Sequence, residues 1–459
     1  MFTKTIKHKI LLLVVCIVIV NSSKVLSQDW PQWLGANRDA KVSGFKAPST
    51  WPEKLTEKWK ITVGEGTDST PVLVQNKLYV FTRKENSEIL LCLNAETGDE
   101  IWKKSYEAPA KLSGDRGHAG PRSTPAVANG MIITFGISGE LSCFDASSGE
   151  KKWNKNDFPG QLPQFNTAMS PVIVDDMVIG QFGGKQGNVA VVAYNLKTGD
   201  QKWKWDSPGA THSSPNLMTI DGTKMVIVMT ANTVVGLNVT DGTLLWTIPF
   251  AGRGRQCVTP IIDGQNVILC GGNDIGIKSV AIKKDGDIFT TEDVWTHTEQ
   301  AVDYCTPTLK DGFIYAISRS NDYFCLDAKT GKLAWAQSSA STAKNTNSSN
   351  GIIISPAGFS GGRGDGRGGA MVGRGGNTGR GRGGGMGSPV GYGGIVDAGS
   401  VLIGLNSSGD LVVFEPDSKE YKELAKYKVS TGQTYAYPVV SGNKLYIMDQ
   451  TSIALLTIE

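Results

Sequence analysis

One element recurs along this chain and constrains its fold more than any other feature. It reads "CLNAETGDEIW" at Cys92–Trp102, "CFDASSGEKKW" at Cys143–Trp153, "AYNLKTGDQKW" at Ala193–Trp203, "GLNVTDGTLLW" at Gly236–Trp246 and "CLDAKTGKLAW" at Cys325–Trp335. A degraded copy, "AIKKDGDIFTTEDVW", ends at Trp295. A second landmark keeps step with it: "STPV" at Pro71, "STPA" at Pro125, "MSPV" at Pro171, "SSPN" at Pro215, "VTPI" at Pro260, "CTPT" at Pro307, "GSPV" at Pro389 and "AYPV" at Pro438. The prolines are 44 to 54 residues apart, except for one gap of 82 that contains a low-complexity run. A unit of this length repeated eight times must bury its apolar faces against its neighbours.

Each unit reads as four strands. In the first, "PVLV" and "KLYVFT" flank a turn at Gln75–Asn76, "EILLCLN" leads into the "ETG" turn, and "EIWKKS" follows. Alternation and β-branched content favour strands, and Asn, Asp and Gly supply the turns. The expected fold is all-β: an eight-bladed propeller of four-stranded antiparallel blades. After Pro438 only three strands remain, so "EKWKITV" at Glu57–Val63 is expected to complete the last blade and remove the open edges. Trp59, Trp102, Trp153, Trp203, Trp246, Trp295 and Trp335 are expected to dock between blades, each covering apolar surface while its indole N–H finds a backbone acceptor. In the irregular seventh blade Tyr427 takes that position.

The first 27 residues read differently. Lys4, Lys7 and Lys9 precede the apolar run Ile10 to Val20, and Val25 and Ser27 precede a cut expected before Gln28. This is the pattern of a secretory signal peptide, and the run is short of the roughly 20 residues a membrane span needs. Residues 28–51 then form an N-terminal segment ahead of the propeller at 52–459. The protein is expected to be exported, periplasmic or extracellular, with no stable transmembrane anchor after cleavage. Without the leader the chain carries 42 Lys plus Arg against 43 Asp plus Glu, a net of −1. That balance gives no reason to expect nucleic acid as a partner. Six cysteines remain, all in apolar runs; they read mainly as buried thiols, with Cys257 and Cys270 the pair best placed to bridge.

These repeats resemble the pyrroloquinoline-quinone-like (PQQ-like) β-propellers over roughly residues 52–459. That family's docking element places Asp, Thr-Gly and Trp as Asp327, Thr330, Gly331 and Trp335 do here, and Asn94, Thr97, Gly98 and Trp102 match with Asn for Asp. The leading "DWPQWLGANRD", Asp29–Asp39, resembles the start of secreted members. The resemblance implies two alternative functions. One is an envelope scaffold that assists outer-membrane protein assembly, binding an envelope protein, a peptide or an anionic polymer and holding no cofactor. The other is a quinoprotein oxidoreductase of alcohols or sugars, with PQQ as cofactor and calcium polarising it. Adjacent cysteines and a Cys-x-x-Cys-His haem motif, common in the enzymes, do not occur here. The scaffold is the favoured expectation.

If the innermost strands begin at the prolines, the loops before them open on one mouth of the channel, where ligand sites belong. Three positions before each proline stand Asp68, Arg122, Ala168, His212, Cys257, Tyr304, Met386 and Tyr435. Neighbouring loop residues Arg116, His118, Asn166, Arg253, Arg255 and Asp303 join them as candidates. The arginines suit a carboxylate or other anion through their fixed donor forks. His118 and His212 are candidate bases, with Asp303 a weaker catalytic candidate. Asp68, Asp303, Asn166 and Gln164 offer oxygen to a hard cation, without a defined metal set. Finally, residues 338–394 form a Ser/Asn-rich then Gly/Arg-rich insertion, with 18 glycines among residues 361–394. It is expected to be a disordered spacer, with a local charge of +4 over residues 361–394.

Overall fold

The computed structural model describes residues 28–109, 120–184, 189–251, 256–271, 275–337 and 391–459. The signal-peptide expectation and most of the insertion therefore lie outside the described residues. Among those described, 32 strands form eight four-stranded antiparallel sheets arranged as a β-propeller. In blade 1 the strands are Val72–Val74, Lys77–Lys84, Ser87–Asn94 and Glu100–Glu107. The first strands of successive blades approach one another and so line the channel, while the fourth strands are mostly exposed. The middle strands are buried on both faces: Val80, Phe81, Leu90 and Cys92 are fully enclosed. Neighbouring blades supply that cover, and each such side chain contributes about 1.5–3 kcal/mol.

Thr56–Thr62 closes the ring. It pairs antiparallel with Ser452–Thr457, matching Thr56 with Thr457 and Thr62 with Ser452, and so becomes the outermost strand of blade 8.

The recurrent turn now has a mechanism. The Oδ1 atoms of Asn94, Asp145, Asn195 and Asp327 each accept the backbone N–H groups two and three residues on. The next residue, Gly98, Gly149, Gly199 or Gly331, donates its N–H back to the Asn or Asp carbonyl at 2.8 Å. These glycines have φ between 69° and 76°. Their missing side chain is needed twice, because a Cβ on Gly331 would lie 2.4 Å from the Trp295 ring of the preceding blade. Four docked indoles donate to the following blade: Trp59 to Glu96 O at 3.0 Å, Trp153 to Leu196 O at 3.0 Å, Trp203 to Val239 O at 2.8 Å and Trp295 to Ala328 O at 2.8 Å. Trp335 reaches Asp417 O at 2.8 Å, and Tyr427 donates to Pro52 O at 2.9 Å. Trp102 packs on Gly149, but its Nε1 has no hydrogen-bond partner among the described residues.

Trp246 departs from the pattern. Its indole donates to Met225 Sδ at 3.1 Å and lies over Gly236, both in its own blade. The following blade carries the degraded copy, whose long hairpin Ile277–Asp285 and Ile288–His297 presents no Thr-Gly turn. The indole therefore has no glycine facing it across that junction.

Five of the six described cysteines are buried thiols, as read from the sequence; Cys257 is half-buried, and no disulfide joins it to Cys270. Burial holds the enclosed thiols up, to about 11 for Cys92 and about 12 for Cys143, Cys305 and Cys325. The insertion also ends earlier than residue 394, because Gly393–Asp397 is already the first strand of blade 7. Gly394 is there for packing: a Cβ would stand 2.6 Å from the Tyr437 ring.

Candidate functional site

Seven blades carry a Ser, Thr or Tyr just before the described first strand and its proline, and these residues tie the blades together. The backbone N–H of Thr70 donates to Thr124 Oγ1, that of Thr124 to Ser170 Oγ, and that of Ser170 to Ser214 Oγ, at 2.9–3.2 Å. Thr259 N–H reaches Thr306 Oγ1 at 3.2 Å, and Tyr437 N–H returns to Thr70 Oγ1 at 3.1 Å. The hydroxyls satisfy backbone donors that would otherwise be buried without a partner.

Below this ring residues 28–42 cross the channel, leaving a cavity of about 190 Å³ between Arg38, Asp39 and the inner strands of blades 4 to 6. Trp30 exchanges both backbone hydrogen bonds with Leu73, and Val127 N–H donates to Pro31 O. Asp397 N–H donates to Ala40 O, and Val42 N–H donates to Asp397 O. Arg38 is buried; Nε and Nη2 donate to Pro215 O at 3.0 and 2.6 Å, and Nη1 donates to Pro171 O and Gln32 Oε1. Burial lowers this guanidinium to about 9, so it stays charged at neutral pH. Residues 28–42 thus act as a plug whose backbone and Arg38 meet the inner edges of the blades. Nothing periodic marked this role; the signal was a cluster of Trp, Leu and Arg in a segment outside the repeats.

Above the ring lies a pocket of about 170 Å³ lined by Trp33, Asp68, Arg122, Phe165, Ala168, Ser170, His212, Ser214, Cys257, Tyr304, Tyr392 and Tyr435. Seven of the eight positions named from the repeat, Asp68, Arg122, Ala168, His212, Cys257, Tyr304 and Tyr435, therefore share one cavity. Trp33 belongs to the plug: its Nε1 donates to Thr259 Oγ1 at 2.8 Å and its ring meets Tyr437 edge-on at 5.1 Å. It closes the pocket from the channel side.

The lining is segregated around the ring. Tyr304, Tyr392 and Tyr435, from the loops leading into blades 6, 7 and 8, form an aromatic arc. Tyr304 and Tyr392 stack with centroids 4.1 Å apart, and Tyr435 meets Tyr392 edge-on at 4.9 Å. Burial, then the charge of Asp68, push the Tyr435 phenol up to about 12. The next arc, blades 1 and 2, carries Asp68 and Arg122, with Arg122 Nε 3.6 Å from Asp68 Oδ2. Arg122 Nη1 also donates to Phe165 O at 2.6 Å. Phe165 sits at φ 72° in a turn closed by Asn166 N–H to Pro163 O, a place glycine usually fills. Such a conformation costs on the order of 1–3 kcal/mol and persists where surrounding structure imposes it. The next loop residue, Thr167, donates its N–H to Ile137 O at 3.3 Å, and Ile137 N–H is held by buried Glu88 Oε1 at 2.7 Å.

Several candidates lie apart from the pocket. Asp303 turns its carboxylate to Arg319 Nε at 3.2 Å, and Asn166 does not line the cavity. Arg116, His118, Arg253, Arg255 and Met386 lie outside the described residues. Trp33, Phe165, Ser170, Ser214 and Tyr392 are the lining residues not named from the repeat. The 82-residue gap displaced the register at Tyr392: its strand starts four residues after Pro389 rather than one.

The described residues do not fit a calcium–quinone centre. Among the described residues no three His, Cys, Asp or Glu side chains converge as metal donors. The pocket's one described carboxylate, Asp68, is engaged by Arg122.

Comparison with known proteins agrees with this architecture. Residues 39–191 and 185–337 match the family model described as "Outer membrane protein assembly factor BamB". BamB of Burkholderia pseudomallei (strain K96243) is 24% identical over 319 residues, 60% of this chain and 80% of its own length. The quinohemoprotein alcohol dehydrogenase of Comamonas testosteroni is 24% identical over 204 residues, 43% of this chain but only 28% of the dehydrogenase. Among solved structures, BamB from Moraxella catarrhalis has a TM-score of 0.57 at 12% identity, covering 88% of this chain and 98% of that one. The Comamonas testosteroni dehydrogenase has a TM-score of 0.62 at 13% identity, covering 94% and 80%. Those likenesses concern the fold, and with the family match over more than half of its length, the chain belongs to the BamB family of PQQ-like β-propellers.

Proposed function

We propose that this protein is a non-catalytic binding and assembly scaffold of the cell envelope, exported through its leader and acting through the channel mouth and rim. The observation that carries this reading is the convergence of seven repeat-equivalent loop residues, with Tyr392, on one pocket sealed from below by Trp33. A closed floor suits capture of a ligand or side chain at the mouth rather than passage through the channel. The family match to an outer-membrane assembly factor supports an envelope protein as the macromolecular partner. Anion capture receives less support from the described residues, because Arg122 already faces Asp68.

The rival reading is a PQQ-dependent oxidoreductase. The aromatic arc and Trp33 favour it, since a planar cofactor needs such walls; the donor set for calcium does not. Calorimetry with PQQ, with and without calcium, separates the two. The scaffold reading expects no calcium-dependent binding, and expects a photo-crosslinking residue at Ala168 to trap an envelope protein in cells. Micromolar, calcium-dependent quinone binding that weakens in Arg122→Met, with no trapped protein, would replace the scaffold by the enzyme.

A further inference from the structure

We propose that the mouth pocket binds a neutral saccharide ring, stacked on the Tyr304–Tyr392–Tyr435 arc and read by the Asp68–Arg122 pair. This rests on taking the mouth as the binding face and adds the chemical class of ligand. Three observations select that class.

The first is segregation. The pocket carries three tyrosines along blades 6 to 8 and its carboxylate and guanidinium along blades 1 and 2, with Phe165, His212 and Trp33 completing the wall, so it suits a ligand with one apolar and one polar side. A pyranose is built that way. One face presents C–H bonds with slight positive charge, which suit the negative face of a tyrosine ring, and hydroxyls project from the edge.

The second is the nature of the polar pair. A hydroxyl both donates and accepts, whereas a carboxylate only accepts and a guanidinium only donates. Asp68 and Arg122, 3.6 Å apart, offer an acceptor beside a donor, the pattern two neighbouring hydroxyls require. A purely aromatic or alkyl ligand would dehydrate both charges with nothing in return.

The third is net charge. Among the described lining residues Asp68 and Arg122 are the carboxylate and guanidinium, whose charges cancel, and His212 is the other titratable nitrogen base. An anion meets Asp68, and a cation held in the aromatic arc meets Arg122. A neutral polyol meets no like charge. Ser170 and Ser214, at the bottom of the same pocket, add short hydroxyls rather than charge.

The test uses the full chain, calorimetry and saturation-transfer NMR, with methyl α-D-glucopyranoside, cellotriose and chitotriose as probes. Betaine and PQQ are run beside them. At least one saccharide should bind and receive saturation on its ring protons. Tyr304→Ala and Arg122→Met should each weaken that binding at least tenfold with an unchanged melting temperature. Silence from all three saccharides overturns the proposal, as does saccharide binding indifferent to both Tyr304→Ala and Arg122→Met. Binding of betaine or PQQ alone through those residues overturns the saccharide class yet keeps the mouth as a site. The scaffold reading falls separately, on failure of the Ala168 crosslink.

Discussion

The two mouths of this channel are built from the same eight inner strands and have opposite characters. At one, residues 28–42 satisfy the strand edges with backbone hydrogen bonds and the buried Arg38 guanidinium. At the other, side chains from seven repeat-equivalent loop positions face a cavity, and the backbone beneath them is already satisfied by the hydroxyl ring. The difference shows that an identical scaffold leaves variation free only where its own hydrogen bonds are complete. The plugged mouth should therefore matter to stability, and the open mouth to binding.

The largest effect should come from Trp30→Ala. Trp30 is 1% exposed and carries the plug against blade 1, so its loss should cost about 3–5 kcal/mol. A chemical denaturation midpoint close to that of the parent would mean that the plug is dispensable to the fold. Arg38→Met should come next, at about 1–3 kcal/mol, because it strips donors from the Pro171 and Pro215 carbonyls. If water enters the freed space, the cost falls to the low end of that range.

Glu88, which supports the loop of the open mouth through Ile137, gives a pH test. Its carboxyl lies above the ordinary 4.5, mainly through burial, opposed by the hydrogen bonds from Ile137 N–H and Tyr106 OH. The folded state thus holds this proton more tightly than the unfolded state does. Its contribution is fullest below pH 4.5 and is lost as pH rises through the raised value. Glu88→Gln should therefore gain stability relative to the parent as pH climbs from 4 to 7, measured by melting at each pH. A parallel pair of curves would remove this account. The smallest effect belongs to Tyr435→Phe, which loses the hydroxyl bond to Gln433 and should shift stability by no more than about 0.5 kcal/mol. A larger loss would blur the contrast between the mouths.

The blades were legible because turn chemistry repeats: Asn or Asp for the side-chain bonds, Gly for positive φ, and Trp to cover it. The pocket's lining was legible for a related reason. A residue three positions before a proline keeps the same place in every blade, so Asp68, Arg122, His212, Tyr304 and Tyr435 could be named together. Trp33 could not, because it acts from outside the period, and Tyr392 was hidden by the long gap before it. The role of Ser and Thr before proline was visible but unread. It depends on which N–H lies opposite in the next blade, and that is a property of closure rather than of local sequence. Trp246 shows the converse: its own element is regular, and its neighbour's missing Thr-Gly turn decides where it packs.

The strand that closes the ring also sets the order of events in folding. Thr56 and Thr457 are roughly four hundred residues apart, yet they are partners. During synthesis the early partner waits for nearly the whole chain before it can pair. Contacts this distant slow folding, and an unpaired strand edge exposed meanwhile invites association with other chains. The seven blades between can form from local hairpins, each within about fifty residues, while blade 8 forms only as a final, all-or-none step. Shortening the chain by the strand Ser452–Thr457 should leave Thr56–Thr62 without a partner and convert a slow folder into an aggregating one.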